Sequence, residues 1–122
     1  MRVVVDASAY AAMVFGEPQG ALVSQQIDRA EVFAPALLKF ELTNVAWKKA
    51  RRRPADAAQI ASALAVGRSS IVWRDVDLAD VFLMAHAAGL TAYDASYLWL
   101  AGSLGANLVT LDARLSQASA AL

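Results

Sequence analysis

The sequence contains no cysteine and only one histidine, His86. The missing cysteine excludes disulfide frameworks, thiolate zinc sites and a cysteine nucleophile, and one histidine is too few for a multi-histidine metal site. The longest unbroken apolar run, residues 9–15, is far shorter than the roughly 20 residues of a membrane span, so we expect no membrane contact. Any catalytic or metal chemistry of this chain must therefore rest on oxygen ligands.

The 122 residues have the size of one domain, and we expect a single domain over residues 1–122. Apolar residues make up 58% and charged residues 18%, which excludes a mainly disordered chain, and eleven basic residues balance eleven acidic ones. The mean hydropathy of +0.42 is high for so small a domain and favours a homo-oligomer or an obligate partner. Because Asp6 directly follows the valines of residues 3–5, the start does not resemble a signal peptide, and we expect a cytoplasmic protein.

Short apolar segments alternate with longer helical patterns along the chain. The 28 alanines favour helix, Pro18, Pro35 and Pro54 each precede a helical pattern, and Gly89 and Gly105 stand at helix ends. This order predicts an α/β domain with a mostly parallel sheet, covered on both faces, and more helix than strand. The first and last strands show the unbroken apolar pattern of strands that are buried on both faces. The predicted strands are 2–5, 32–34, 71–74 and 107–111, and the predicted helices are 8–14, 18–29, 36–52, 55–68, 77–88, 91–104 and 113–121.

Two aspartates follow predicted strands directly. Asp6 ends the first strand and Asp112 follows the last. Ligands of open α/β sheets gather outside the carboxyl ends of strands, which makes both positions candidate site positions. The alternative for each is a helix N-cap, a role that aspartate commonly fills.

Two further acids lie on helical faces that also carry apolar residues. Asp94 follows Thr91 by three residues, as in a capping box, yet it stands one turn before the apolar stripe of Tyr97. Glu41 shares a stripe with Leu38 and lies beyond the reach of a cap. An unpaired buried carboxylate is costly, so Glu41 needs a cation, a proton or a solvent-filled cleft, the alternative being a partly exposed side chain.

The carboxylates of two strand ends and two helix starts can converge at one edge of a parallel sheet. Four such groups repel one another by about 3 kcal/mol per pair at about 5 Å, unless a cation lies among them. Carboxylate oxygens suit Mg²⁺ or Mn²⁺, of which one ion activates the attacking water while a second stabilises the leaving oxygen. The predicted chemistry is phosphodiester hydrolysis.

The motifs around these acids resemble those of PIN-domain ribonucleases, and their order and spacing are similar to the VapC toxins of bacterial type II toxin–antitoxin modules. The opening VVVDAS of residues 3–8 resembles the first motif, and FELTNV of residues 40–45 resembles the glutamate helix. TAYDA of residues 91–95 and LVTLD of residues 108–112 resemble the third and fourth acidic motifs. Together these four motifs span nearly the whole chain.

The resemblance implies a three-layer α/β/α sandwich and a metal site lined by Asp6, Glu41, Asp94 and Asp112. It implies that Ser8 and Thr110 support this site through their hydroxyls. It also implies a homodimer that cuts structured transfer or ribosomal RNA with Mg²⁺ or Mn²⁺. A VapB-type antitoxin is the implied inhibitor. Arg114 stands where some members carry a further acid, so the first metal is better supported than a second.

The one charge run of the sequence is a candidate RNA contact. Its cations are expected to neutralise phosphates without reading sequence, and the alternative is a solvated helix end. Five aromatic residues can in principle stack bases, although core or dimer packing is the favoured interpretation, and His86 is expected to be structural or exposed. The run comprises Lys48, Lys49, Arg51, Arg52 and Arg53, and the aromatic residues are Tyr10, Trp47, Trp73, Tyr97 and Trp99.

Other enzyme classes fit the sequence poorly. Receiver-like phosphoacceptors need a second acid beside the first and a lysine at the end of the last strand, but Asp6 is followed by Ala7 and Ser8 and the predicted strand 107–111 has no lysine. Dehalogenase-like phosphatases need Asp-x-Asp after the first strand, which is also absent. No Walker or dinucleotide glycine motif is present. The remaining alternative is a degenerate, non-catalytic PIN module that binds RNA or a protein partner.

Overall fold

A computed structural model describes all residues 1–122. It contains four strands, seven α-helices and one short 3₁₀ turn at Pro54–Asp56. The strands are β1 (Arg2–Val5), β2 (Glu31–Pro35), β3 (Val72–Arg74) and β4 (Asn107–Val109). The helices are α1 (Ala7–Val14), α2 (Gly20–Ile27), α3 (Leu37–Arg52), α4 (Ala57–Ser69), α5 (Leu78–Ala88), α6 (Ala92–Leu104) and α7 (Ala113–Ala120).

Every predicted strand and helix is present, and the differences lie at the ends. Strand β4 stops at Val109 rather than at residue 111, because the next backbone N–H groups bond to side chains instead of a neighbouring strand. Helix α4 begins at Ala57 rather than at residue 55, since Pro54–Asp56 forms the 3₁₀ turn. Gly89 and Gly105 end α5 and α6 in left-handed conformation, at φ of 66° and 60°, as predicted.

The sheet is entirely parallel, with the strand order β3-β2-β1-β4. The three valines of residues 3–5 in the inner strand β1 are fully buried between helices, which explains their unbroken apolar pattern. The prediction that the last strand is equally buried is wrong. Strand β4 lies at the sheet edge, where Asn107 is exposed and Leu108 half-buried.

Helices cover both faces of the sheet and give the three-layer α/β/α sandwich that the resemblance implied. The main core joins β1 to apolar side chains of α1, α3 and α6, among them Tyr10, Leu38 and Leu98. None of the helices combines the length and the apolar character needed to cross a lipid bilayer.

The strand order reverses at β1. The chain continues from β1 to β2 and β3 on one side, whereas β4 returns to the other side of β1. Such a reversal leaves a crevice outside the carboxyl ends of the two strands that flank it. Asp6 follows β1 and Thr110 follows β4, so both residues lie at this crevice.

Candidate active site

Asp6 is the most buried acid of the chain, with 5% of its surface exposed. Its Oδ1 accepts hydrogen bonds from the backbone N–H of Ala9 at 3.0 Å and from the Ser8 hydroxyl at 2.8 Å. Its Oδ2 accepts a hydrogen bond from the hydroxyl of Thr110 at 2.6 Å. Asp6 therefore does cap α1, but the cap uses only one of the three hydrogen bonds that its carboxylate accepts.

Ser8 and Thr110 connect the ends of β1 and β4. The Ser8 hydroxyl accepts a hydrogen bond from the backbone N–H of Leu111 at 3.0 Å, and the Thr110 hydroxyl accepts one from the backbone N–H of Asp112 at 3.0 Å. The two hydroxyl oxygens lie 3.3 Å apart. Because both hydroxyls donate to Asp6 and accept from the backbone after β4, they hold the carboxylate of Asp6 in one orientation.

Asp94 lies in the first turn of α6, and its backbone N–H donates to the Thr91 hydroxyl at 3.1 Å. The reciprocal bond of a capping box is missing, because the Asp94 carboxylate accepts no hydrogen bond from the protein. Burial raises the pKa of Asp94, and the negative charges of Asp112 and Asp6 raise it further, while Arg114 lowers it. The Asp94 carboxylate thus points to no internal partner and is surrounded mainly by negative charge.

Glu41 is half-buried in the second turn of α3, on the same face as Leu38 and Leu42. Its Oε1 accepts a hydrogen bond from the phenol of Tyr97 on α6. Burial raises the pKa of Glu41 and the bond from Tyr97 opposes that rise, whereas the charges of Asp6 and Asp94 add to it. Burial, together with the adjacent Glu41, also raises the pKa of Tyr97, so the phenol stays protonated and remains a donor.

Asp112 is exposed, and its Oδ1 accepts the backbone N–H of Leu115 at 2.9 Å, as an N-cap of α7. The capping alternative is therefore correct for the position, yet the charge of Asp112 also acts on Asp94. The guanidinium of Arg114, on the same helix, donates to the carbonyl of Gly89 at 3.1 Å, which ties α7 to the end of α5.

Electrostatic effects link each of the four predicted acids to at least one of the others. Asp94 is influenced by Asp6 and Asp112, and Glu41 is influenced by Asp6 and Asp94. Each acid comes from a different part of the fold: the end of β1, the start of α3, the start of α6 and the end of β4. We refer to Asp6, Glu41, Asp94 and Asp112 as the acidic site.

The oxygens of the acidic site fit a hard divalent cation. No three acidic or histidine side chains stand together as a ready-made ligand group. Mg²⁺ needs only one or two carboxylates, however, because it keeps several waters and adds substrate phosphate. Oε2 of Glu41 and both carboxylate oxygens of Asp94 accept no hydrogen bond from the protein, and they are therefore available to such an ion or to its waters.

The basic run forms the last turns of α3 and does not join the acidic site. At about 1.5 Å per residue, Lys48 to Arg53 lie about 10 to 18 Å along the helix from Glu41. Lys49 forms an ion pair with Glu17, whereas Lys48 and the arginines at 51–53 are exposed. The exposed cations remain available to a long polyanion that reaches beyond the acidic site.

The aromatic residues differ from one another in burial. Tyr10 and Tyr97 are core residues, as favoured, and Trp73 and Trp99 are half-buried. Trp47 is 54% exposed and lies under the guanidinium of Arg51, so it is not part of the core.

Two tyrosines have positions that the sequence did not indicate. The bond from Tyr97 to Glu41 spans 56 residues and leaves no local sequence signal. Tyr93, directly before Asp94, is 65% exposed, and only its adjacency to a predicted acid could have drawn attention to it.

Comparison with known proteins gives consistent matches. The PIN domain profile matches residues 3–121. Ribonuclease VapC3 of Pyrobaculum aerophilum is 34% identical over 129 aligned positions, which cover 100% of this chain and 98% of that protein. Exonuclease VapC9 of the same organism is 42% identical over 77 positions, which cover 62% of this chain and 58% of that protein.

A solved structure agrees with these matches. The crystal structure of PAE2754 from Pyrobaculum aerophilum aligns with a TM-score of 0.82 at 33% identity, covering 98% of this chain and 85% of that chain. The chain therefore belongs to the PIN-domain family and, within it, to the VapC-type proteins. The resemblance to PIN-domain ribonucleases of the VapC type is confirmed.

Proposed function

We propose that this chain is a Mg²⁺- or Mn²⁺-dependent endoribonuclease of the toxin class, which cuts structured transfer or ribosomal RNA and so inhibits translation and growth. The observation that carries the proposal is the acidic site, in which four elements of the fold contribute carboxylates whose charges act on one another. The full-length similarity to a protein named as a ribonuclease supports the same reaction.

Asp6, Glu41, Asp94 and Asp112 would hold the ion in this proposal. When bound, the ion supplies Lewis-acid chemistry to water and to the phosphate, and it offsets the mutual repulsion of the carboxylates. The hydroxyls of Ser8 and Thr110 keep Asp6 oriented. The other carboxylates have different tasks. Tyr97 orients Glu41, and the unpaired Asp94 is free to hold a water or a proton at the phosphate.

The partners follow from the family and from the surface. The VapC names of the relatives support a VapB-type antitoxin as inhibitor of this chain. Exposed apolar side chains such as Phe40, Leu78, Phe82 and Leu83, which are 62% to 76% exposed, support a homodimer. Lys48 and Arg51 to Arg53 are the proposed contacts to RNA phosphates, with Lys49 held by Glu17 at their side.

The test is cleavage of total transfer RNA, ribosomal RNA and a circular RNA by purified protein, with Mn²⁺, Mg²⁺ or a chelator. We expect cleavage that depends on the metal and is lost in Asp94→Asn. The matched control is Asp80→Asn, because Asp80 occupies the same place in α5, with its N–H bonded to the cap Asp77 at 3.0 Å.

The circular substrate separates the two activities named among the relatives, since an endonuclease opens a circle and an exonuclease cannot. Opening of the circle supports the proposal, and degradation of linear RNA alone would replace it with exonuclease activity. RNA binding without any cleavage would favour the non-catalytic module.

A further inference from the structure

A pocket of about 590 Å³ opens at the same sheet edge as the acidic site. Its wall is built from the end of β2 with the start of α3, the segment after β3, and the first turns of α5 and α6. The first turn of α6 belongs to both sites, because Tyr93 lines the pocket and its neighbour Asp94 belongs to the acidic site. Consecutive Cα atoms lie about 3.8 Å apart, so the pocket and the acids are within reach of one bound chain.

The pocket combines an aromatic ring, apolar walls and charges at its rim. Tyr93 is 65% exposed and Leu78 is 76% exposed, so neither side chain serves the protein core. Arg74 and Asp75 are exposed rim residues, and the guanidinium of Arg74 lies 5.3 Å from the ring centroid of Phe33. One cation and one carboxylate thus stand beside an apolar slot.

We propose that this pocket receives one unpaired nucleobase next to the cut phosphate, with Tyr93 stacked on its face; this rests on the proposed ribonuclease function. A base has two apolar faces and a polar edge, which match the apolar wall and the carboxylate of Asp75 as an acceptor for amino groups. Arg74 complements the phosphate of the same nucleotide. The pocket would therefore select the base beside the cut, and it would restrict cleavage to loops or bulges where a base is free.

The test compares Tyr93→Ala with Val66→Ala, the latter removing an equally exposed apolar side chain, at 66%, that does not line the pocket. The probes are fluorescent single-stranded homopolymer RNAs, and their Kd is measured by anisotropy with a chelator so that nothing is cut. Stacking contributes about 1–3 kcal/mol per base, so Tyr93→Ala should weaken binding about 5- to 150-fold. Tyr93→Phe should retain affinity, because the ring remains, and Val66→Ala should match the wild type.

A second measurement maps cut sites on random-sequence RNA with Mn²⁺. We expect the wild type to prefer particular bases beside the cut and Tyr93→Ala to lose that preference. Unchanged affinity and unchanged cut sites in Tyr93→Ala would overturn the pocket proposal while leaving the ribonuclease standing. Binding with the Tyr93 dependence but without any cleavage would remove the proposed function and keep the pocket as an RNA site.

Light scattering on the same proteins tests the competing occupant, a second copy of this chain. If Tyr93→Ala lowers the molecular mass, Tyr93 contacts a second copy of the chain and the nucleobase assignment is wrong. Failure of the wild type to bind any of the RNA probes would overturn the proposal as well. An unchanged mass, together with a defect confined to Tyr93→Ala, supports it.

Discussion

The phenol of Tyr97 on α6 donates a hydrogen bond to Oε1 of Glu41 on α3. Tyr97 is 1% exposed, so this bond joins the protein core to the acidic site. Burial and the neighbouring aspartates disfavour the charged form of Glu41 and raise its pKa, whereas the phenol of Tyr97 favours the charged form. Tyr97 is therefore the residue that keeps Glu41 oriented and able to ionise.

Replacing Tyr97 with Phe should affect both stability and function. The ring still fills the core, but Glu41 loses its donor, and a hydrogen bond to a charged group contributes about 1.5–3 kcal/mol. We expect a loss of about 1–2 kcal/mol in the free energy of unfolding, measured with urea, because water replaces part of the bond. We also expect weaker Mn²⁺ binding and slower RNA cleavage.

Tyr10→Phe is the matched control for that substitution. Tyr10 is also 1% exposed, and its phenol donates to the carbonyl of Gly67 at 2.7 Å, remote from the acids. This variant should lose comparable stability and keep its affinity for Mn²⁺. Equal effects of the two substitutions on Mn²⁺ affinity would contradict a specific role for Tyr97.

Asp94→Asn should stabilise the metal-free protein while it abolishes cleavage. The substitution removes a charge that Asp112 and Asp6 repel, and it keeps the backbone bond from residue 94 to Thr91. Solvent screens the partly exposed carboxylate, so we expect a gain of about 1 kcal/mol or less. A thermal melt in chelator measures it.

Asp80→Asn is expected to have the opposite effect on stability. Asp80 lies in the first turn of α5, where a negative charge favours the helix, so its removal should lower stability slightly. If Asp94→Asn lowers the melting temperature as Asp80→Asn does, Asp94 acts chiefly as a first-turn helix acid and the acidic site loses its electrostatic basis.

The free energy of unfolding without metal should fall as pH rises through the pKa values of Glu41 and Asp94. Burial raises the folded-state pKa of Glu41 and of Asp94 above their ordinary values of 4.5 and 3.8. The folded protein then holds these protons more tightly than the unfolded chain, so their stabilising effect is complete below the unfolded pKa values and is lost as pH rises through the folded ones.

Urea unfolding in chelator, at a series of pH values that starts below 3.8 and rises, measures this loss. The slope should be smaller in Asp94→Asn, which lacks one of the two groups. Saturating Mn²⁺ should reverse it, because the metal binds deprotonated carboxylates. An identical slope in wild type and Asp94→Asn would exclude Asp94 as a source.

Replacing Arg51, Arg52 and Arg53 with Ala should raise the KM for RNA and flatten its dependence on salt. These side chains are exposed near the end of α3, and the salt slope falls by about 0.7 to 0.9 for every phosphate that the protein no longer neutralises. The kcat should change little, because these three arginines lie about 15 Å or more along the helix from Glu41.

A triple variant of equal charge controls for the removal of three cations. Arg2, Arg29 and Arg68 are exposed; Arg2 begins β1, whereas Arg29 and Arg68 precede β2 and β3, at the edge opposite the strand ends that carry the acidic site. Their replacement should leave the salt slope unchanged. An equal effect of both triple variants would assign the basic run to general charge rather than to RNA contact.

Much of the fold is predictable because local patterns determine it. The valines of residues 3–5 indicate a buried strand, and Gly89 and Gly105 end helices where a left-handed residue is needed. The early end of β4 at Val109 was not predictable, since the Ser8 hydroxyl, more than 100 residues away, accepts the hydrogen bond of the Leu111 backbone N–H. The local apolar residues predict a longer strand, whereas in the structure a distant side chain ends it.

The acidic site was predictable as a set of residues but not as a network. Asp6 and Asp94 were found from their places beside strand and helix starts. The bond from Tyr97 to Glu41 depends on how α3 packs against α6, and the exposure of Tyr93 depends on which elements pack around the start of α6. Both facts are tertiary, and no short window of sequence contains them.

The most direct test is a thermal melt of the purified protein titrated with Mn²⁺ and Mg²⁺, beside Asp6→Asn, Asp94→Asn and Asp80→Asn. Metal at about 100 times its Kd should add about 2.7 kcal/mol to the stability of the wild type and of Asp80→Asn. Both variants of the acidic site should lose that gain. A gain that Asp6→Asn and Asp94→Asn retain in full would place the cation elsewhere and contradict the account.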